Sequence, residues 1–129
     1  MWAHGRIILE LAAALIAAGG FYDLFTPRLP SNLVRICGPN EGALRLAREL
    51  LRALGGSLIA VGGATAYLVA ASGSRPNPSI LTLVLILILP SELINAFCMY
   101  RVGSPFYFPL AFALIAVLGV ALWWPQPLR

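Results

Sequence analysis

Apolar and polar positions along this chain sort into four long apolar runs with short polar punctuation between them. The runs occupy residues 7–25, 53–71, 79–100 and 105–124, each close to the ~20 residues an α-helix needs to cross a bilayer. Proline and glycine mark the breaks: Pro27 and Pro30 after the first run, Ser72 to Pro78 after the second, Arg101 to Ser104 after the third, and Pro125 after the fourth. Tyr100, Trp123 and Trp124 stand where interfacial aromatics are expected. Because the second and third connections are short, neighbouring spans should run antiparallel. The pattern predicts an all-α, single-domain integral membrane protein over residues 1–129, an up-down bundle of four transmembrane helices.

Ahead of the second span the period changes character. Glu41, Arg45, Arg48, Glu49 and Arg52 recur at helical spacing while Leu44, Ala47, Leu51 and Leu54 take the other face, which predicts an amphipathic lead-in from residue 40. A helix over 40–71 would be about 48 Å long, well beyond roughly 30 Å of hydrocarbon, so its first turns belong to the headgroup layer. The first run could be read instead as a signal peptide, with Arg6 ahead of it and small residues at Ala17 to Gly20. Glu10 inside the apolar stretch and its continuation through Phe25 argue for a retained span.

Composition bears out the reading from pattern: 60% of residues are hydrophobic and only 11% charged, against about 25% charged in soluble domains. The net charge of +4 is small and scattered, which gives nucleic acid no footprint. Arginine in place of lysine, with abundant Ala, Gly and Leu, points to a GC-rich genome and a bacterial cytoplasmic membrane. With four spans, Arg6, Arg75 and Arg129 share one side with both termini. Arg28, Arg35 and Arg101 lie on the other side with Arg45, Arg48 and Arg52 of the lead-in, and the excess marks that side as cytoplasmic. Without the three lead-in arginines the two sides are even.

The few ionisable groups within the spans carry the candidate chemistry, since each costs roughly 2.5–3.5 kcal/mol at mid-helix on insertion scales. Glu10, about 9 Å from the middle of its span, has Arg6 one turn away as a partner. Asp23, about 10 Å from the middle on the other side, lacks such a neighbour. The spacing predicts an Asp23–Arg52 pair between helices, with Arg48 and Glu49 one turn closer to water. Glu92 follows Pro90 about 4 Å from the midplane, too deep for Arg52. Pro90 should kink its helix and free the carbonyl of Ile86. In a dry interior Glu92 would be held neutral; in a wet cavity it could bind a cation or relay a proton. Asp23, Arg52, Glu92 and Asn95 form the candidate polar pocket, with Tyr22, Tyr100 and Arg101 at its mouth. Small residues at Gly56, Ala60, Gly63 and Ala64 predict close helix packing, within the bundle or as a dimer seam.

Other chemistries lack their residues. His4 is the lone histidine, no His/Cys/carboxylate cluster has metal-ligand spacing, and no acyl-transfer set or nucleotide-binding glycine loop is present, so no cofactor, metal or catalytic residue is assigned. Cys37 and Cys98 both fall toward the arginine-rich side and are expected as free thiols.

Three stretches carry a resemblance to a known family: Gly20 to Pro27 closing the first helix, Arg48 to Gly56 opening the second, and Tyr100 to Pro105 between the third and fourth. The chain resembles the small four-helix membrane proteins grouped near the DoxX-like families, of the domain-of-unknown-function type. The resemblance implies a four-helix bundle and transfers no site residue. The sequence thus points to a noncatalytic membrane protein that binds a lipid or quinone, or serves as a subunit of a homo-oligomer or larger complex. A proton-coupled small exporter using Glu10 and Glu92 is the alternative, and a quinone or thiol redox protein the third.

Overall fold

Helices account for nearly all the ordered backbone because every apolar run is bounded by a residue that starts or stops one. The computed structural model describes residues 2–125 and contains five helices among them: α1 (Trp2–Phe25), α2 (Ser31–Cys37), α3 (Glu41–Ala71), α4 (Pro78–Arg101) and α5 (Tyr107–Trp123). Asn40 caps α3, its side chain accepting from the Ala43 amide at 3.1 Å, with Glu41 in the first turn favourable to the helix dipole. Asn77 caps α4 by accepting from Ser79 N at 3.0 Å, and Pro78 follows, where its missing N–H costs no helical bond. Gly73 and Gly103 terminate α3 and α4 with φ of 64° and 71°, a conformation that a side chain would strain.

Three of these helices, α1, α3 and α4, are long and apolar enough to cross a membrane, and α5 is a shorter apolar helix of 17 residues. Large apolar side chains cover the outside, among them Leu11, Phe21, Ile86, Phe97 and Leu114. Such a surface suits an apolar solvent. The amphipathic lead-in and second apolar run form one uninterrupted helix of 31 residues, about 46 Å long. The short helix α2 falls in a stretch with no elements expected from the sequence. Arg129, placed with the termini by the sequence pattern, lies outside the described residues.

The four longer helices close a ring: α1 packs on α3 and α5, and α4 packs on α5 and α3, so that α1 and α4 stand diagonally opposed. Gly20 of α1 meets Gly55 and Ile59 of α3, while Ala13 and Ala17 meet Gly62. Residue numbers rise along one helix as they fall along the other, so the pair is antiparallel. The same order reversal joins Gly5 to Trp123 and Gly19 to Phe112 between α1 and α5. Leu9, Ile16, Leu58, Val69, Leu81, Ile88, Val120 and Trp123 fill the core.

The packing register of α3 differs from the expected one. Gly56 and Gly63 have nothing within 4 Å of a Cβ position, and Ala60 and Ala64 are likewise exposed. The contact with α1 falls one residue earlier, at Gly55 and Gly62, and the same side of α3 buries Leu58, Thr65 and Val69. Both registers repeat small residues at i+7, and the larger apolar residues Leu58 and Val69 belong to the one that docks.

Two polar clips secure the ring at its ends. Arg6 donates through Nε to Glu10 Oε1 at 2.9 Å, as the sequence led one to expect, and through Nη1 to the Gly73 carbonyl at 3.1 Å. Asn32 of α2 donates through Nδ2 to the Gly103 carbonyl at 2.6 Å and to Ser104 Oγ at 3.3 Å, which fastens α2 to the α4–α5 connection. Arg6→Ala should lower stability in detergent unfolding by less than about 1 kcal/mol, because the ion pair is largely exposed.

Candidate functional site

A cavity of about 720 Å³ occupies the end of the ring where α2 sits. Each surrounding helix contributes residues at helical spacing. From α1 come Ile16, Gly19, Tyr22 and Asp23; from α3, Ala47, Leu50, Leu51, Leu54 and Leu58; from α4, Glu92, Asn95, Cys98 and Met99; from α5, Phe108, Pro109 and Phe112. Pro30, Leu33, Val102 and Ser104 line its outer part. The space exists because the backbones of α1 and α4 stand apart across the ring, and because glycine at position 19 leaves the nearest atom of Phe112 3.9 Å from where a Cβ would stand.

Glu92 lies at the inner end, with 1% of its surface exposed. Its Oε1 is buried without a hydrogen-bond partner, as among the described residues is the hydroxyl of Thr65 on α3. A buried polar group left unpaired costs roughly 1–3 kcal/mol. α4 runs through Pro90 without a break. Pro90 and Ile86 are both exposed, and Glu92 is about 120° around the helix from Ile86, so the carbonyl that Pro90 frees is no partner for the acid, whose Oε1 stays unpaired. Asn95 and Cys98 follow Glu92 at i+3 and i+6, about 60° and 120° round the helix, and line the cavity beside it.

Asp23 reaches the cavity from the diagonally opposite helix and is half-buried. The expected pair with Arg52 does not form: Arg52 donates through Nη1 to Glu49 Oε1 at 2.8 Å, one turn away on its own helix. The reason is angular. Leu51 points into the cavity, and Arg52 is one residue, about 100°, further round. Arg48 and Glu49 are exposed and stay outside the cavity as well. Arg101 extends over the Phe97 ring, 6.0 Å from its centroid, and Tyr100 packs edge-on against Phe106 at 5.4 Å. Of the residues expected around the pocket, Asp23, Glu92, Asn95 and Tyr22 come together; Arg48, Glu49, Arg52, Arg101 and Tyr100 do not.

The cavity walls were not singled out from the sequence. Projecting α1 from Asp23 and α4 from Glu92 would have found Gly19, Cys98 and Met99, whereas Leu54 and Phe112 lie on helices that turn no charge to the cavity. Cys37 and Cys98 are both free thiols. Among the described residues no group of His, Cys, Asp and Glu could hold a metal ion. The arrangement is a mostly apolar chamber with two carboxyls, an amide and a phenol, fitted for binding. Comparison of the chain with protein-family models, curated proteins and solved structures finds no match.

Proposed function

We propose that this chain is a noncatalytic integral membrane protein, an up-down bundle of four transmembrane helices, whose chamber holds a lipophilic molecule with one polar end. The observation that carries this reading is the chamber itself: 720 Å³ lined mainly by apolar side chains, with the unpartnered Glu92 at its buried end. Ligand cavities run from about 300 to 1,000 Å³ and are mostly apolar with a few placed polar groups. A lipid or a quinone matches that shape. The α5 helix spans about 25 Å, and Phe106 and Trp124 next to its ends supply the interfacial aromatics of a span. The DoxX-like resemblance is to the same architecture and adds no residue role.

The outward stripe of Gly56, Ala60, Gly63 and Ala64 leaves a surface on which a second helix could approach closely, in keeping with a homo-oligomer or a larger membrane complex. Proton-coupled transport is the second reading, favoured by Asp23 and Glu92 sharing one chamber. Glu10, its first-span carboxylate, is occupied by Arg6. Uptake driven by a pH gradient in proteoliposomes would favour transport over binding alone.

Gly19→Leu tests the binding reading by filling the gap before Phe112. Protein purified in mild detergent should release an enriched small molecule into organic extract, and the variant should release about tenfold less while melting within a few degrees of wild type. Equal extracts from the two proteins would overturn the proposal.

A further inference from the structure

The chamber's charge is one-sided. Its ionisable lining groups are Asp23, Glu92, Tyr22 and Cys98, and no arginine or histidine is among its lining residues. Arg28, Arg35, Arg48, Arg52 and Arg101 also belong to this end but are exposed and outside the lining, with Arg52 on Glu49 and Arg101 over Phe97. The helix ends around the opening alternate, with the N-terminal parts of α3 and α5 beside the C-terminal parts of α1 and α4. Their dipoles oppose one another, which leaves the carboxyls to set the sign. Three aromatic rings, Tyr22, Phe108 and Phe112, face the same space.

We infer that the polar end of the ligand is a cation, so that the chamber takes a lipophilic organic cation of the ammonium or phosphonium kind in preference to an anion or a neutral isostere. This rests on the binding reading above. An anionic head would meet two carboxyls and no counter-charge. A cationic one gives Glu92 Oε1 the partner it lacks within the protein and offsets the cost of a carboxylate in apolar walls. Ring faces attract a desolvated cation within about 6 Å of their centroids, and a positively charged centre with an apolar periphery needs no directional hydrogen bonds from the leucines around it. Asn95, neutral and one turn from Glu92, leaves the sign unchanged.

Two probes of nearly equal size and opposite charge, with a smaller neutral one beside them, provide the test, measured on the full chain in nanodiscs with empty nanodiscs as background. Tetraphenylphosphonium should bind at least about tenfold more tightly than tetraphenylborate. Glu92→Gln and Asp23→Asn should each lower that preference, Glu92→Gln by about tenfold or more, and binding of the neutral triphenylphosphine oxide should stay within about twofold. The two variants fold independently of one another, so loss of one leaves the other to report. Tetraphenylborate binding as tightly as the cation, or cation binding unaltered in both variants, would overturn the inference. Binding of the neutral oxide without the cation would remove the charge preference and leave the lipophilic-ligand reading standing. Binding of none of the three would overturn both.

Discussion

Gly55→Ala should destabilise the protein by about 3 kcal/mol or more, while Gly56→Ala, one residue along, should stabilise it by about 0.5–1 kcal/mol. The added methyl at position 55 would stand 2.5 Å from the Gly20 carbonyl and 2.7 Å from the Leu24 amide. Both obstacles are backbone, so relief requires α1 and α3 to separate along their length, and the dispersion contacts of that interface fall away with distance. Overpacking typically costs 1–3 kcal/mol even where side chains can adjust. At position 56 the methyl meets nothing within 4 Å, and the helix gains by losing a glycine. Gly62→Ala and Gly63→Ala should repeat the contrast, since a Cβ at 62 lies 2.7 Å from the Ala13 carbonyl and one at 63 meets nothing. Equilibrium unfolding in mixed micelles measures all four; equal effects at 55 and 56 would show that the helices pack in another register.

Glu92→Leu should raise the stability of ligand-depleted protein by about 1–3 kcal/mol and abolish ligand retention. The buried carboxyl oxygen has no partner, so its removal relieves an unmet desolvation cost of that size, and leucine fills similar space in an apolar wall. Interhelical glue would behave in the opposite way, since truncating one half of a buried pair leaves the other half unpaired and destabilises by 3–5 kcal/mol. The sign of the change in unfolding free energy thus separates a structural acid from one held ready for a ligand. A stabilising loss of function is the trade-off known for strained sites.

Much of this could be read in the sequence, for reasons that also explain the misses. The long helices were legible because apolar runs of membrane length have few alternatives, and Asn40 and Asn77 are where caps belong. The short α2 was not, since Ser31–Cys37 spans only two turns and its order comes from a clip to Gly103 and Ser104 far along the chain. The α3 register was ambiguous because Gly55 with Gly62 and Gly56 with Gly63 have the same spacing, and lipid tails are as apolar as leucine. Glu92 and Asp23 were found because a carboxyl in an apolar span is conspicuous. Arg52 was assigned by depth alone, whereas the fold chooses by angle as well. The apolar walls stayed hidden because a leucine facing a chamber and one facing outward are chemically the same.

The central claim is a ligand site between the helices of the ring, distinct from the lipid around them. It is tested most directly by photo-crosslinking in native membranes, with a benzophenone amino acid at Phe112, which lines the chamber, and at Leu114, which is 69% exposed on the outside of the same helix. The account expects a discrete mass adduct at 112 and the spread of bulk phospholipid adducts at 114. The same phospholipid spread at both positions would contradict it.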